Sequence, residues 1–409
     1  MNVRDETEQY VESEKRHFRP DIQGLRALAV ILVIVAHAKV PHFAGGYIGV
    51  DVFFVISGFV ITELLLRESL AIAEPHHRLT SALKVLGKFY ARRIRRIMPA
   101  ATLVMLATVL SAYYFLGPFT SMQLLEDLRW ASTFRVNFHF ISVGMDYFSQ
   151  GLPPSLITHF WSLAVEEQFY FVFPLLLVFT AVIVGLRRHR LALSSVLAVV
   201  VVWSAYESAK LTTGSPYAYF SPKTRFWEIG LGALLAALPP TLRAIDARLA
   251  AVIGWVSLGV IVATAYHLTD ASLVPGTLTW WACAPAGALL FFGNARHQAA
   301  PSRFFASRPL RYIGDISYSL YLFHWAWLKL PEQYAQIKYG LMTSLPPLAR
   351  VEQIAAATLC AAVSYRFFEN PIRRSAWLDR HPWVTAVLAA VMISLVWLTA
   401  YLLGRYWTT

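Results

Sequence analysis

The chain has 409 residues, of which 57% are hydrophobic and only 15% charged, too apolar a mixture for the core of one water-soluble domain. The formal net charge of +12 invites a nucleic-acid reading, but the basic residues sort by membrane side and leave no nucleic-acid footprint. The two cysteines, Cys283 and Cys360, stand in no metal or redox spacing and read as small core residues.

The apolar residues fall in blocks of about 18 to 22, the length that crosses a bilayer as a helix. Eleven such blocks are predicted, at 22–40, 47–67, 99–117, 160–186, 191–208, 224–238, 249–268, 278–293, 312–331, 351–369 and 382–404. The sixth and eighth are short. Alternating polar and apolar strands are absent, which argues against a barrel. The expected fold is therefore an all-α polytopic membrane domain, preceded by a polar cytoplasmic segment over residues 1–21. With the N-terminus inside, cytoplasmic segments carry 24 Lys/Arg and outer segments 6. That bias fits eleven spans, with the C-terminus outside.

The first block, "RALAVILVIVAH", sets Arg26 and His37 eleven residues apart. Three helical turns place them on nearly one face, about 16 Å apart along the axis. Each has a plainer reading, Arg26 as a snorkelling anchor and His37 as an interfacial histidine. The second block, "GGYIGVDVFFVISGF", carries Asp51. Next, "ALKVLGKFYARRIRRIMP" sets Leu83, Leu86, Tyr90, Ile94 and Ile97 on one stripe among basic residues. The pattern predicts an amphipathic helix over 80–98, lying along the inner interface, with Pro99 opening the third span. Arg93 and Arg96 point the same way and suit a phosphate, or equally an anionic lipid headgroup.

The fourth block, "HFWSLAVEEQFY", contributes Trp161, Glu166 and Glu167. The sixth, "TRFWEIGLGALLA", contributes Arg225 and Glu228. The ninth, "YIGDISYSLYLFHW", contributes Tyr318 and His324. Ionisable groups inside a membrane face one another or a wet cavity. Five helices carrying them at similar depth point to one polar pocket in the outer layer. A histidine beside a carboxylate would make a general base there. The plainer alternative is a set of structural ion pairs. An anionic head at the inner arginines, a long flexible arm along the first helix and a reactive thioester near His37 would describe an acyl-coenzyme A.

The same stretches carry a family likeness. "FRPDIQGLRALAVILVIVAH", "GGYIGVDVFFVISGFVIT", "RRIRRIMPA", "FWSLAVEEQFY", "TRFWEIGLGALL", "YIGDISYSLYLFHW" and "FFENPIRR" follow in order from residue 18 to 371. The set resembles integral-membrane acyltransferase family 3, bacterial enzymes that O-acylate surface glycans. The resemblance implies ten core helices, an acyl-CoA donor (acetyl-CoA by expectation), His37 as catalytic base, and Arg26, Arg93 and Arg96 on the donor. Asp51 and Glu166 are expected to support catalysis. Trp161, Arg225, Tyr318 and His324 are expected to line the substrate site; no metal is expected.

One departure is "WVTAVLAAVMISLVWLTAYLLG", an eleventh helix. In this family such a helix resembles the link to an extracytoplasmic SGNH-type domain. The chain is expected to be either part of such a protein or one that kept the helix. "GDIS" at Gly314–Ser317 sits at the start of a span and does not read as the SGNH serine block. The expected activity is transfer of an acyl group from cytoplasmic acyl-CoA to a glycan or glycolipid hydroxyl outside a bacterial plasma membrane. Relay to a separate domain is a variant of this reading. The rival class is a transporter or flippase, but the two related halves and broken helices of many transporters are absent.

Overall fold

The computed structural model describes residues 19–70, 78–148, 153–212, 216–293, 300–340 and 345–408. The polar segment expected before the first helix lies, up to residue 18, outside the described residues. Eleven helices answer to the eleven apolar blocks: α1 Pro20–His37, α2 Gly49–Glu68, α3 Arg78–Leu116, α4 Phe160–Val184, α5 Leu186–Leu211, α6 Pro222–Ala237, α7 Ala247–His267, α8 Trp280–Phe292, α9 Arg308–Tyr339, α10 Pro347–Ser364 and α11 Pro382–Thr408. No strand occurs among the described residues. Seven stretches, those of α1 to α5, α7 and α11, are long and apolar enough to cross a membrane. The short sixth and eighth blocks become helices of 16 and 13 residues. In α9 and α10, Asp315, Lys329, Arg350 and Glu352 interrupt the apolar sequence.

Local chemistry sets the helix starts. Pro20 opens α1 at a position that needs no N–H donor, and Arg19 holds Asp21 of its first turn at 2.6 Å. A 3-10 turn over Ala44–Ile48 joins α1 to α2 and packs on both. Ser221 caps α6 ahead of Pro222, its hydroxyl accepting from the Lys223 amide.

Two glycines decide how closely α2 and α6 cross. A Cβ on Gly58 would lie 1.8 Å from the Ile229 carbonyl oxygen, and one on Gly232 would lie 1.9 Å from that of Val55. Small residues at such a crossing let backbones touch, the usual source of helix adhesion in lipid. Elsewhere α9 packs along α1 and α10, while α11 lies on α3 and on the helix Pro118–Ser132.

The expected interfacial helix is corrected here. Residues 78–116 form one unbroken helix, with Pro99 inside it rather than at the head of a new span. Of the expected stripe Ile97 is buried and Leu86, Tyr90 and Ile94 are half-buried, whereas Leu83 is 61% exposed; Ala82, Val85, Phe89 and Arg93 are buried beside it. Arg95, 1% exposed, hydrogen-bonds to Asp379 and to the carbonyls of Ala91 and Ser375. Arg92 lies 2.6 Å from Glu68. Both guanidiniums have protein partners.

Candidate active site

At the C-terminus of α1 the His37 ring is held at both nitrogens. Nδ1 lies 2.9 Å from Nε2 of His324 on α9, and Nε2 lies 2.8 Å from the Tyr147 hydroxyl. The two imidazoles are within 7° of parallel, with centroids 5.2 Å apart. That separation is the N···N distance plus two ring radii, so the bond lies in the plane of both rings. Trp325 closes on His37 edge-on at 4.7 Å, its indole N–H donating to the Ser155 carbonyl. His159 sits 5.7 Å from His324, centroid to centroid. His37 remains half-buried, while His324 and His159 are each 1% exposed. His37 thus keeps some exposure at the end of α1, with both ring nitrogens on protein partners.

The expected carboxylate beside His37 is not there. Asp51 turns instead to Arg225, whose Nη1 lies 2.7 Å from Asp51 and 3.0 Å from Glu228, all three buried. A guanidinium between two carboxylates satisfies its own desolvation and holds both acids in place. The triad borders the histidines indirectly. Arg225 lies over the rings of Tyr219 and Trp161 at 4.7 and 5.1 Å, and Tyr219 stacks on Tyr147 at 4.3 Å. Trp161, Arg225 and Asp51 thus form the wall behind Tyr147.

Glu166 and Glu167 also leave the expected outer pocket. Arg93 of α3 bonds both, at 2.8 Å through Nη2 to Glu166 and 2.8 Å through Nε to Glu167. Glu166 further accepts from Ser57 and Tyr170. The single polar layer read from the sequence is therefore two clusters. Tyr318 belongs to the inner one, donating to the Ile97 carbonyl at 2.7 Å.

Arg26 and Arg96 behave differently from Arg93. Both are half-buried, and among the described residues neither makes an ion pair. They share one electrostatic neighbourhood with Arg373 and Glu369. Glu369 ends a π-helical turn, Tyr365–Glu369, and accepts from Ser319 at 2.8 Å, with Arg373 4.0 Å away. Asp315 also acts on Arg26 and Arg373; guanidiniums that keep free N–H groups suit a phosphate. Sequence reasoning placed "FFENPIRR" without giving Glu369 or Arg373 a role.

Tyr147, His159 and Tyr219 were also missed, because a loop tyrosine or a histidine in an apolar run carries no spacing signal. Tyr147 is delivered by the segment following Pro118–Ser132. There Asp127 binds His139 at 3.1 Å and accepts from Ser155 at 2.5 Å. The Asp127 hydrogen bond raises the His139 pKa. Among the described residues no group of three His, Cys, Asp or Glu could hold a metal ion.

Comparison with known proteins agrees with a group-transfer site. The family described as "Acyltransferase domain" matches residues 19–401. The chain is 31% identical to O-acetyltransferase OatA of Staphylococcus aureus (strain NCTC 8325 / PS 47) over 376 residues, covering 88% of this chain and 58% of that protein. It is 30% identical to peptidoglycan O-acetyltransferase OatA of Listeria monocytogenes over 380 residues, 89% of this chain and 57% of that protein. It is also 30% identical to the putative peptidoglycan O-acetyltransferase YrhL of Bacillus subtilis, covering 89% of this chain and 56% of that one. The chain thus spans less than two thirds of the length of these relatives. No solved structure matches. With a family match over nearly the whole chain, this multi-helical protein belongs to the acyltransferase-domain family.

Proposed function

We propose that this chain is a multi-pass membrane O-acyltransferase of a bacterial plasma membrane, moving an acyl group from acyl-CoA on the cytoplasmic side to a hydroxyl of a cell-wall glycan outside. The observation that carries this reading is the pairing of two unlike sites along α1. Arg26 and Arg96, grouped with Arg373 and Glu369, make no ion pair of their own among the described residues. Eleven residues on, about 16 Å along the helix, lies His37, a half-buried residue. The arginines would take the phosphates of the donor. Its pantetheine arm would follow α1 and bring the thioester to His37. The likeness to peptidoglycan O-acetyltransferases favours acetyl-CoA as donor and a peptidoglycan sugar hydroxyl as acceptor.

In the reaction His37 Nε2 takes the proton of the acceptor hydroxyl as its oxygen attacks the thioester carbonyl. The carbon–sulfur bond then breaks, and the imidazolium returns the proton to the departing thiolate. Products are the ester and coenzyme A, with His37 neutral again. Positioned base catalysis of this kind contributes a factor of about 10²–10⁴. Arg93 has a supporting part, its charge neutralised by Glu166 and Glu167; Asp51 steadies Arg225 rather than the base. Eleven spans with the C-terminus outside remain part of this proposal.

The test uses the purified chain in lipid nanodiscs with acetyl-CoA and a soluble glycan fragment. Wild type is expected to release coenzyme A and form the ester. His37→Ala is expected to bind the donor normally, by calorimetric titration, and not turn it over. Donor-independent movement of a labelled glycan across proteoliposomes, with no coenzyme A release, would instead place the chain with transporters.

A further inference from the structure

The partner of a catalytic imidazole decides which of its nitrogens carries the lone pair. For His37 that partner is a second imidazole, and a chain of hydrogen bonds sets its direction. His324 Nδ1 lies 2.6 Å from the Tyr321 backbone carbonyl oxygen. A carbonyl only accepts, so His324 Nδ1 carries the proton and Nε2 is left with its lone pair. His37 Nδ1 must then donate to His324 Nε2 across 2.9 Å. His37 Nε2 is left unprotonated, accepting from the Tyr147 hydroxyl at 2.8 Å.

We infer that His324 is a positioning residue for acyl transfer: anchored on the Tyr321 carbonyl, it fixes the tautomer of His37 and leaves Nε2 as the basic nitrogen, where the acceptor hydroxyl would take the place of the Tyr147 hydroxyl. This rests on the reading of His37 as the base.

Three features support the assignment beyond the bond itself. The in-plane alignment of the rings is the geometry of a directional hydrogen bond rather than of packing. His324 is 1% exposed, so it is enclosed, whereas the residue His37 keeps partial exposure at the end of α1. The Tyr321 hydroxyl is tied to Ser162 at 2.7 Å and to the His159 carbonyl at 3.1 Å, which fixes the turn of α9 that supplies the anchoring carbonyl. The role that a carboxylate plays in many base dyads passes here to a neutral group. A neutral partner keeps the buried cluster free of a net negative charge when His37 is unprotonated. The titratable groups facing His37 are His324 and Lys329 of α9, His159 ahead of α4 and Tyr147.

The experiment compares four variants of the full chain in nanodiscs, with kcat, KM for acetyl-CoA and the pH profile of kcat/KM as readouts. His37→Ala tests the underlying reading and is expected to be inactive; activity there would overturn that reading. His324→Gln presents an amide oxygen to His37 Nδ1–H and is expected to keep kcat within about tenfold of wild type. His324→Phe fills the space without an acceptor and is expected to lose more than tenfold in kcat with KM unchanged. His324→Glu supplies a charged acceptor, which favours the imidazolium. The acid limb of its profile is expected to move up by about one unit or more. With His37→Ala inactive, wild-type kcat in His324→Phe overturns the inference. An unmoved acid limb in a folded, active His324→Glu does so as well, and does not depend on the Phe variant folding.

Discussion

The Arg93 guanidinium binds Glu166 across the α3–α4 contact at 2.8 Å, with Glu167 at 2.7 Å from the same nitrogen. This relationship separates two arginines that the Arg-x-x-Arg spacing treats as equivalent. Arg93 pairs with two carboxylates of α4, whereas Arg96 makes no ion pair among the described residues.

Substitution is therefore expected to divide them. Arg93→Ala strands two carboxylates beside Tyr170 and Ser57. Removing one partner of a buried pair costs about 3–5 kcal/mol, so little folded protein is expected in detergent. Arg96→Ala relieves repulsion from Arg26 and Arg373 and is expected to leave thermal stability unchanged or higher. The same variant should weaken donor binding about tenfold or more, matching loss of a charge-assisted bond to phosphate. Melting curves and calorimetry on both variants check this; equal loss of stability in both refutes the division.

The α2–α6 crossing makes a second prediction. Gly58→Val would drive a branched side chain into the Ile229 carbonyl. Overpacking costs typically 1–3 kcal/mol, and more where backbone must move, so a fall of more than about 2 kcal/mol in stability is expected. Because Asp51 lies on α2 and Arg225 on α6, their ion pair would separate too. Gly87→Val in α3, where a Cβ meets nothing within 4 Å, is the control, expected to change stability by under about 1 kcal/mol because valine is no worse a helix former than glycine.

The Asp127–His139 pair carries a pH dependence of known sign. Asp127 raises the pKa of His139. A group whose pKa is higher when folded stabilises fully below its unfolded value, about 6.5, and loses that contribution as pH rises through the folded value. Asp127→Asn is therefore expected to lower the melting temperature more at pH 5.5 than at pH 8.5. A difference that grows with pH would contradict the pairing. The Tyr147 position depends on this segment, so activity is expected to follow the same trend.

Topology is open to direct labelling. In a chain lacking Cys283 and Cys360, a cysteine replacing exposed Lys338 in the last turn of α9 is expected to react with an impermeant thiol reagent outside intact cells. One replacing exposed Arg248 at the start of α7 is expected to react only after lysis. The opposite pattern would invert the bundle and place the arginine cluster outside.

Every apolar block found in the sequence became a helix, because a run long enough to cross a bilayer satisfies its backbone only that way. His37, His324 and Arg26 stood out in the sequence as ionisable groups within apolar blocks, and Arg96 through its spacing from Arg93. What faces what was not. In lipid the outward surface is as apolar as the core, so a stripe of hydrophobic residues does not mark the buried side: Leu83 of the stripe faces out, while Arg93 faces in. With that ambiguity, sequence alone could not assign Glu166 to Arg93, Asp51 to Arg225 or His37 to His324. Those partners lie 73, 174 and 287 residues apart, and only the packing of the helices, set by contacts such as Gly58 on Ile229, decides which charges meet.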